Sequence, residues 1–171
     1  MAKIPQVLHE YINSAFPQNV CLVGTLKDDG WPNIAPRGST QVFDDETLAI
    51  WDRGGRASSE SMTDGTKLMI YYRNPALGAR GGNGLLAIGG VARFYGTAEI
   101  HREGPSYEQV WNNMVEQERN NDPDKKGFAI LIRIIKVESL VGKSLPENCI
   151  ADRVDHKFIM ANHRKLRTNP T

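Results

Sequence analysis

LLAIGGVARFYGTAEIH, residues 85–101, is the stretch whose reading decides the fold. Residues 85–88 are apolar, Gly89-Gly90 interrupts, and strict alternation follows. Ala92, Phe94, Ala98 and Ile100 share one face, and Arg93, Tyr95, Thr97, Glu99 and His101 share the other. A period of two is the signature of a strand with one face buried. Paired glycines inside such a strand mark a sharp bend, the device by which small barrels turn corners. The stretch therefore predicts one long strand bent at Gly89-Gly90.

Working outward toward the N-terminus, residues 74–84 form a Gly-rich loop and KLMIYYR at 67–73 reads as a buried strand. Residues 58–64 suit a short helix with Ser58 or Ser59 as N-cap, Glu60 in its first turn and Gly65 as its stop. Thr47 to Asp52 is a further strand. Residues 33–43 alternate as a single strand, with Ile34, Gly38 and Val42 on one face and Asn33, Arg37, Ser39 and Gln41 on a face built for polar contact. The apolar run at 20–26 ends in Lys27-Asp28-Asp29-Gly30, which predicts a hairpin. Val7, Leu8, Tyr11 and Ile12 fall at helical spacing over residues 5–15. Toward the C-terminus, residues 105–120 predict one helix with a stripe of Tyr107, Val110, Trp111, Met114 and Val115. FAILIRIIKV at 128–137 is apolar enough for a strand covered on both faces.

Six strands without regular helix alternation argue against a dinucleotide-binding sheet. They predict a mainly β fold, a six-stranded antiparallel closed or split barrel with peripheral helices. The expected organisation is one domain over 1–171: a lead-in helix within 1–16, a barrel over 20–142 with the inserted helix 105–120, and a C-terminal extension over 144–171. Lys and Arg number 21 against 20 Asp and Glu, a net charge of +1, so no global field recruits nucleic acid or an anionic membrane. Cys21 and Cys149 are too few and too scattered for a disulfide framework or a zinc site. His9, His101, His156 and His163 lack partners at metal-ligand spacing. With no run of 18 apolar residues and no apolar leader, the expected location is the cytoplasm. Motifs of serine hydrolases, zincins, P-loops and dinucleotide folds are absent from the sequence.

The chemistry concentrates in Asp52-Arg53-Gly54-Gly55-Arg56-Ala57-Ser58-Ser59, which joins a strand end to the predicted helix start. Glycines let successive N–H groups point at one anion, and a helix N-terminus adds partial positive charge. The octet reads equally as a phosphate cradle or as a surface turn with solvated arginines. Arg37, Ser39 and Gln41 on a neighbouring strand would favour the cradle, by adding charge and hydrogen bonds to a phosphorylated ligand.

NVCLVGTLKDDGWPNIAP (19–36), TLAIWDRGGRASSESM (47–62), LMIYYRNPALGARGGNGLLAIGG (68–90) and FAILIRIIKVESLVG (128–142) together make the chain resemble the pyridoxamine-5′-phosphate-oxidase-like FMN-binding split barrels. It is similar in particular to the small homodimeric FMN-binding proteins of sulphate-reducing bacteria. The resemblance implies a homodimer holding FMN in a groove between subunits, acting as an oxidoreductase or in electron transfer. It implies phosphate contacts from Arg37, Gly38, Ser39, Arg53, Gly54, Gly55, Arg56, Ser58 and Ser59. Trp51 and Asp52 would then lie where backbone groups meet the flavin ring; Trp111 and Tyr107 are candidates from the partner subunit or, as members of the helical stripe, plain core. Ser58 stands where many relatives carry a Lys, which moves the expected charge to Arg56. The tail VDHKFIMANHRKLRTNPT (154–171) lacks the Trp and the Arg-Leu-containing motif of true pyridoxamine-phosphate oxidases. No general acid or base is assigned. A deazaflavin or haem as guest, and a cofactor-free small barrel binding nucleic acid, are the alternative readings.

Overall fold

A computed structural model describes residues 1–54, 62–79, 81–86 and 89–145. The chain opens with a single 3-10 turn, Gln6–Leu8, running into α1, His9–Asn13. Seven strands follow: β1 Cys21–Leu26, β2 Pro32–Arg37, β3 Gln41–Asp44, β4 Thr47–Asp52, β5 Lys67–Arg73, β6 Val91–His101 and β7 Phe128–Ser139. Two helices, α2 Pro105–Asn113 and α3 Glu116–Arg119, lie between β6 and β7. All neighbouring strands pair antiparallel, in the order β2-β1-β5-β6-β7-β4-β3.

The ends of that order explain the architecture. β2 and β3 sit at opposite edges of the sheet yet are joined only by Gly38-Ser39-Thr40. So short a link brings the two edges together and curls the sheet into a barrel, which removes most of its open edge. The single strand expected over 33–43 is thus two strands, which makes seven rather than six. Its two halves pair with different partners, Cys21↔Arg37 on β1 and Gln41↔Ala49 on β4.

The long strand expected over 85–101 is also shorter than predicted. β6 starts at Val91, after Gly89 and Gly90 take φ of +90° and +63°. Leu86 makes only an isolated bridge with Gly78, and residues 87–88 lie outside the described residues. A Cβ on Gly90 would collide with the Asn74 carbonyl, so the left-handed turn there admits no side chain. A second bend falls within β6, at a register shift between Tyr95 and Gly96, where a Cβ would strike the Arg133 backbone oxygen.

Alternation along the strands builds two apolar layers. Leu48 and Ile50 of β4 join Val23, Ile70, Phe94, Ile130 and Ile132 inside the barrel, with Leu8 and Ile12 of the lead-in segment packed on it. Ala49 and Trp51 point the other way and, with Ala129 and Leu131 of β7, pack under Tyr107, Val110 and Met114. β4 is buried at all six positions, and β7 is covered on both faces over its first half, as FAILI predicts. The helix expected over 105–120 is broken: Met114 and Val115 take extended ψ values of 143° and 146°. Arg119 Nη1 donates to the Asn112 and Met114 carbonyls at 3.0 and 2.7 Å, satisfying chain ends that a continuous helix would have bonded itself.

Candidate functional site

The candidate residues converge where the β2–β3 corner meets the C-terminal end of β4. Arg37 Nη2 donates to Asp52 Oδ2 at 2.8 Å, with both side chains buried. A charged pair can lie so deep only when each partner neutralises the other. Asp52 Oδ1 also accepts from the Gly54 N–H at 2.8 Å, which turns the chain sharply out of β4. Gly54 has φ +73°, and among the described residues no heavy atom lies within 4 Å of the place a Cβ would occupy.

Ser39 acts as a substitute rung of the sheet. Its Oγ accepts from Trp51 N–H at 3.0 Å and donates to Trp51 O at 3.1 Å, extending the β3–β4 ladder past Gln41. Thr40 Oγ1 closes the corner on Arg37 O at 2.8 Å, and Gln41 Nε2 ties it to Val110 O of α2 at 3.0 Å. Gly38 is closely packed here, since a Cβ would meet the Glu118 carboxylate and the Phe16 ring, which would have to move. The face built for polar contact, with Arg37, Ser39 and Gln41, is buried at all three positions, while Ile34 is 65% exposed. Arg37, Ser39 and the Gln41 amide nitrogen find partners at the strand end and on α2, so the polar face is the covered one.

Trp51 lies in the second apolar layer with only 4% of its surface exposed. Its ring stands 4.9 Å from both Tyr107 and Trp111 of the same chain, at 51° and 59°. Both rings lie on α2 in the helical stripe that the sequence displays and pack on Trp51 within the chain. Lys125 Nζ sits 4.7 Å from the Tyr107 ring centre and pairs with Glu108 at 2.7 Å.

Asp122 is the residue that sequence reasoning missed. It accepts from Trp51 Nε1 at 2.9 Å, from Gly127 N at 2.8 Å and from Lys126 N at 3.0 Å. Burial alone would raise its pKa, but these three donors and the nearby Arg53 charge outweigh it and hold the carboxyl below its ordinary value. Its only local signal is Asp122-Pro123-Asp124, a turn sequence with an acceptor side chain. Arg53 itself donates to Asn121 O at 3.2 Å, so the same loop flanks the start of the octet.

The structure thus brings Arg37, Gly38, Ser39, Trp51, Asp52, Arg53 and Gly54 together. Gly55, Arg56, Ser58, Ser59 and most of the helix expected over 58–64 lie outside the described residues, as does the extension from residue 146. Among the described residues no group of three His, Cys, Asp or Glu is placed to hold a metal, and no helix is long and apolar enough to cross a membrane.

Comparisons place this architecture among known ones. HupZ of group A Streptococcus, 24% identical, superposes with a TM-score of 0.58 over 82% of this chain and 97% of its own. A structure described as an F420 reductase, 14% identical, gives a TM-score of 0.53 over 79% of this chain and 98% of that one. A FAD-binding protein from Mesorhizobium loti, 10% identical, gives 0.50 over 80% of this chain and 94% of that one. No match is found among curated proteins. The family model for pyridoxamine 5′-phosphate oxidase matches residues 7–139, from the lead-in segment to the last residue of β7. With the antiparallel barrel, its corner and the β4 strand end all inside that match, the chain belongs to the pyridoxamine 5′-phosphate oxidase family.

Proposed function

We propose that the protein is an FMN-binding oxidoreductase or electron-transfer protein that works as a homodimer, with the flavin phosphate held where β4 gives way to the octet. The observation that carries this reading is the turn at Gly54, held by Asp52 Oδ1 and braced by the Arg37–Asp52 pair. The residues fit a phosphate in a specific way. Arg37 faces Asp52 and Arg53 lies near Asp122, so the described strand end is balanced in charge. The excess positive charge comes from Arg56, and Ser58 and Ser59 follow it as hydroxyl donors. Arg56, Ser58, Ser59 and the Gly54-Gly55 backbone would hold the phosphate, while Arg37 and Ser39 set the position of the strand end. When bound, FMN supplies the electron chemistry, and the protein supplies orientation and electrostatics. Leu26, Trp31 and Ile34, 65–70% exposed on the β1–β2 hairpin, give a second copy an apolar face to cover.

Titration with FMN tests the reading, followed by flavin absorbance and fluorescence, with sedimentation reporting the mass. The expected result is saturable binding by a species of twice the chain's mass. Arg56→Ala should weaken FMN about 10- to 100-fold, the range for losing one charge-assisted hydrogen bond. The same variant should leave riboflavin, which lacks the phosphate, unchanged. A protein that ignores FMN, or an Arg56→Ala effect equal for both flavins, overturns the assignment.

A further inference from the structure

The β2–β3 corner also walls a cavity of about 240 Å³, of whose walls the flavin reading uses Gly38 and Ser39 but not Gln41. Its other walls are Asn13 at the end of α1 and residues 113–115 at the break between α2 and α3. We propose that this cavity binds a small uncharged molecule carrying a hydrogen-bond donor, and that Gln41 recognises it.

The inference begins with the amide of Gln41, which is 5% exposed and lines the cavity. Its nitrogen donates to Val110 O at 3.0 Å, and this fixes which end of the amide is oxygen. That oxygen is buried and has no hydrogen-bond partner among the described residues. Three neighbouring polar atoms are already engaged. Asn13 Oδ1 accepts from Val42 N–H at 2.8 Å, Ser39 Oγ bonds the Trp51 backbone, and Thr40 Oγ1 donates to Arg37 O. A buried acceptor left unmet is costly, and a guest with an N–H or O–H relieves it.

The walls also set the charge and size of the guest. No lining side chain is charged, and the Glu118 carboxylate against Gly38 disfavours an anion, which would lose its hydration with no counter-charge from the walls. Met114, Val115 and Val42 provide apolar contact beside the polar corner. The volume corresponds to about eight waters and lies somewhat below the range of drug-sized pockets, about 300–1,000 Å³. A single ring or short chain bearing a carboxamide has the right chemistry. The break between α2 and α3 then has a role, because its extended residues 114 and 115 form one side of the chamber.

Nicotinamide and nicotinate are probes of nearly one shape, of which only the amide is uncharged and carries an N–H donor. In the ¹⁵N-labelled full chain, nicotinamide should shift the Gln41 side-chain signals saturably, and nicotinate should not. Gln41→Leu should abolish nicotinamide binding. Because that variant also loses the tie to Val110, Val115→Phe provides an independent check, filling the chamber from its far wall while leaving Gln41 in place. The response should persist in protein saturated with FMN, and it is expected whether or not FMN binds at all. Equal shifts from amide and acid, no shift from either, binding that survives both substitutions, or displacement by FMN overturns the proposal.

Discussion

Gly127 shows how one missing side chain holds the candidate region together. Its N–H donates to Asp122 at 2.8 Å, and a Cβ there would sit on Trp51 Nε1 and the Asp52 carbonyl, with Asp122 Oδ2 only 2.9 Å away. Backbone cannot retreat as a flexible side chain can, so an added methyl must push β4 and the 122–127 loop apart. Gly127→Ala is expected to lower stability by about 1–3 kcal/mol, the usual range for overpacking a filled site. Urea unfolding would show a lower midpoint with an unchanged slope, since the surface exposed on unfolding stays the same. Gly54→Ala should act differently, because a Cβ there meets none of the described residues and carries the strain of its φ of +73°. Neither role is written locally in the sequence. Gly127 reads as a terminator before an apolar strand, and its contact with Trp51 joins residues 76 positions apart.

At the scale of elements, the loop between α3 and β7 is organised by one carboxylate, and this gives it a pH dependence. Asp122 is held below its ordinary pKa, its cost of burial outweighed by donors from Trp51, Lys126 and Gly127 and by the charge of Arg53. A carboxyl with a depressed folded pKa contributes stability that is complete above its unfolded value, about pH 4, and is lost as pH falls through the folded value. Asp122→Asn should therefore cost on the order of 1–3 kcal/mol at pH 7, the scale for hydrogen bonds to a charged group. The gap between variant and parent should narrow below pH 4. Urea midpoints measured from pH 3 to 7 check this, and a constant gap across that range would remove the charge from the explanation. What the sequence reveals of the elements follows the same division between local and distant causes. β4, β5 and β7 were legible because their apolar patterns report burial directly. The split of 33–43 was not, since alternation continues through Gly38 and only pairing at opposite sheet edges separates β2 from β3. The break in the 105–120 helix was hidden too, because Met114 continues the apolar stripe while Arg119, further along, takes the carbonyls freed by the break.

For the whole molecule, sheet closure depends on the few residues that join its edges, and Cys21 reports whether that closure opens as one unit. Cys21 begins β1, opposite Arg37 in the register, and is fully buried in the barrel core. Burial pushes its thiol up to about 12, against the opposing hydrogen bond from Thr40, so both access and thiolate fraction suppress its reactivity. The barrel and its core were legible from composition and periodicity, and so was the strand end that carries the candidate site. The burial of Arg37, Ser39 and Gln41 was not, because it depends on Asp52, Trp51 and Val110, which only the closed barrel brings to them. If closure is cooperative, Cys21 becomes accessible only when the β2–β3 corner and the β1–β5 pairing are lost together. In a Cys149→Ser variant, modification by a thiol reagent at pH 8 should therefore be limited by global unfolding. Its free energy of opening should equal the stability obtained from urea unfolding of the same variant. Reaction at a distinctly lower free energy would mean that the β1–β2 edge opens by itself, and the corner would then be a hinge instead of the barrel's clasp.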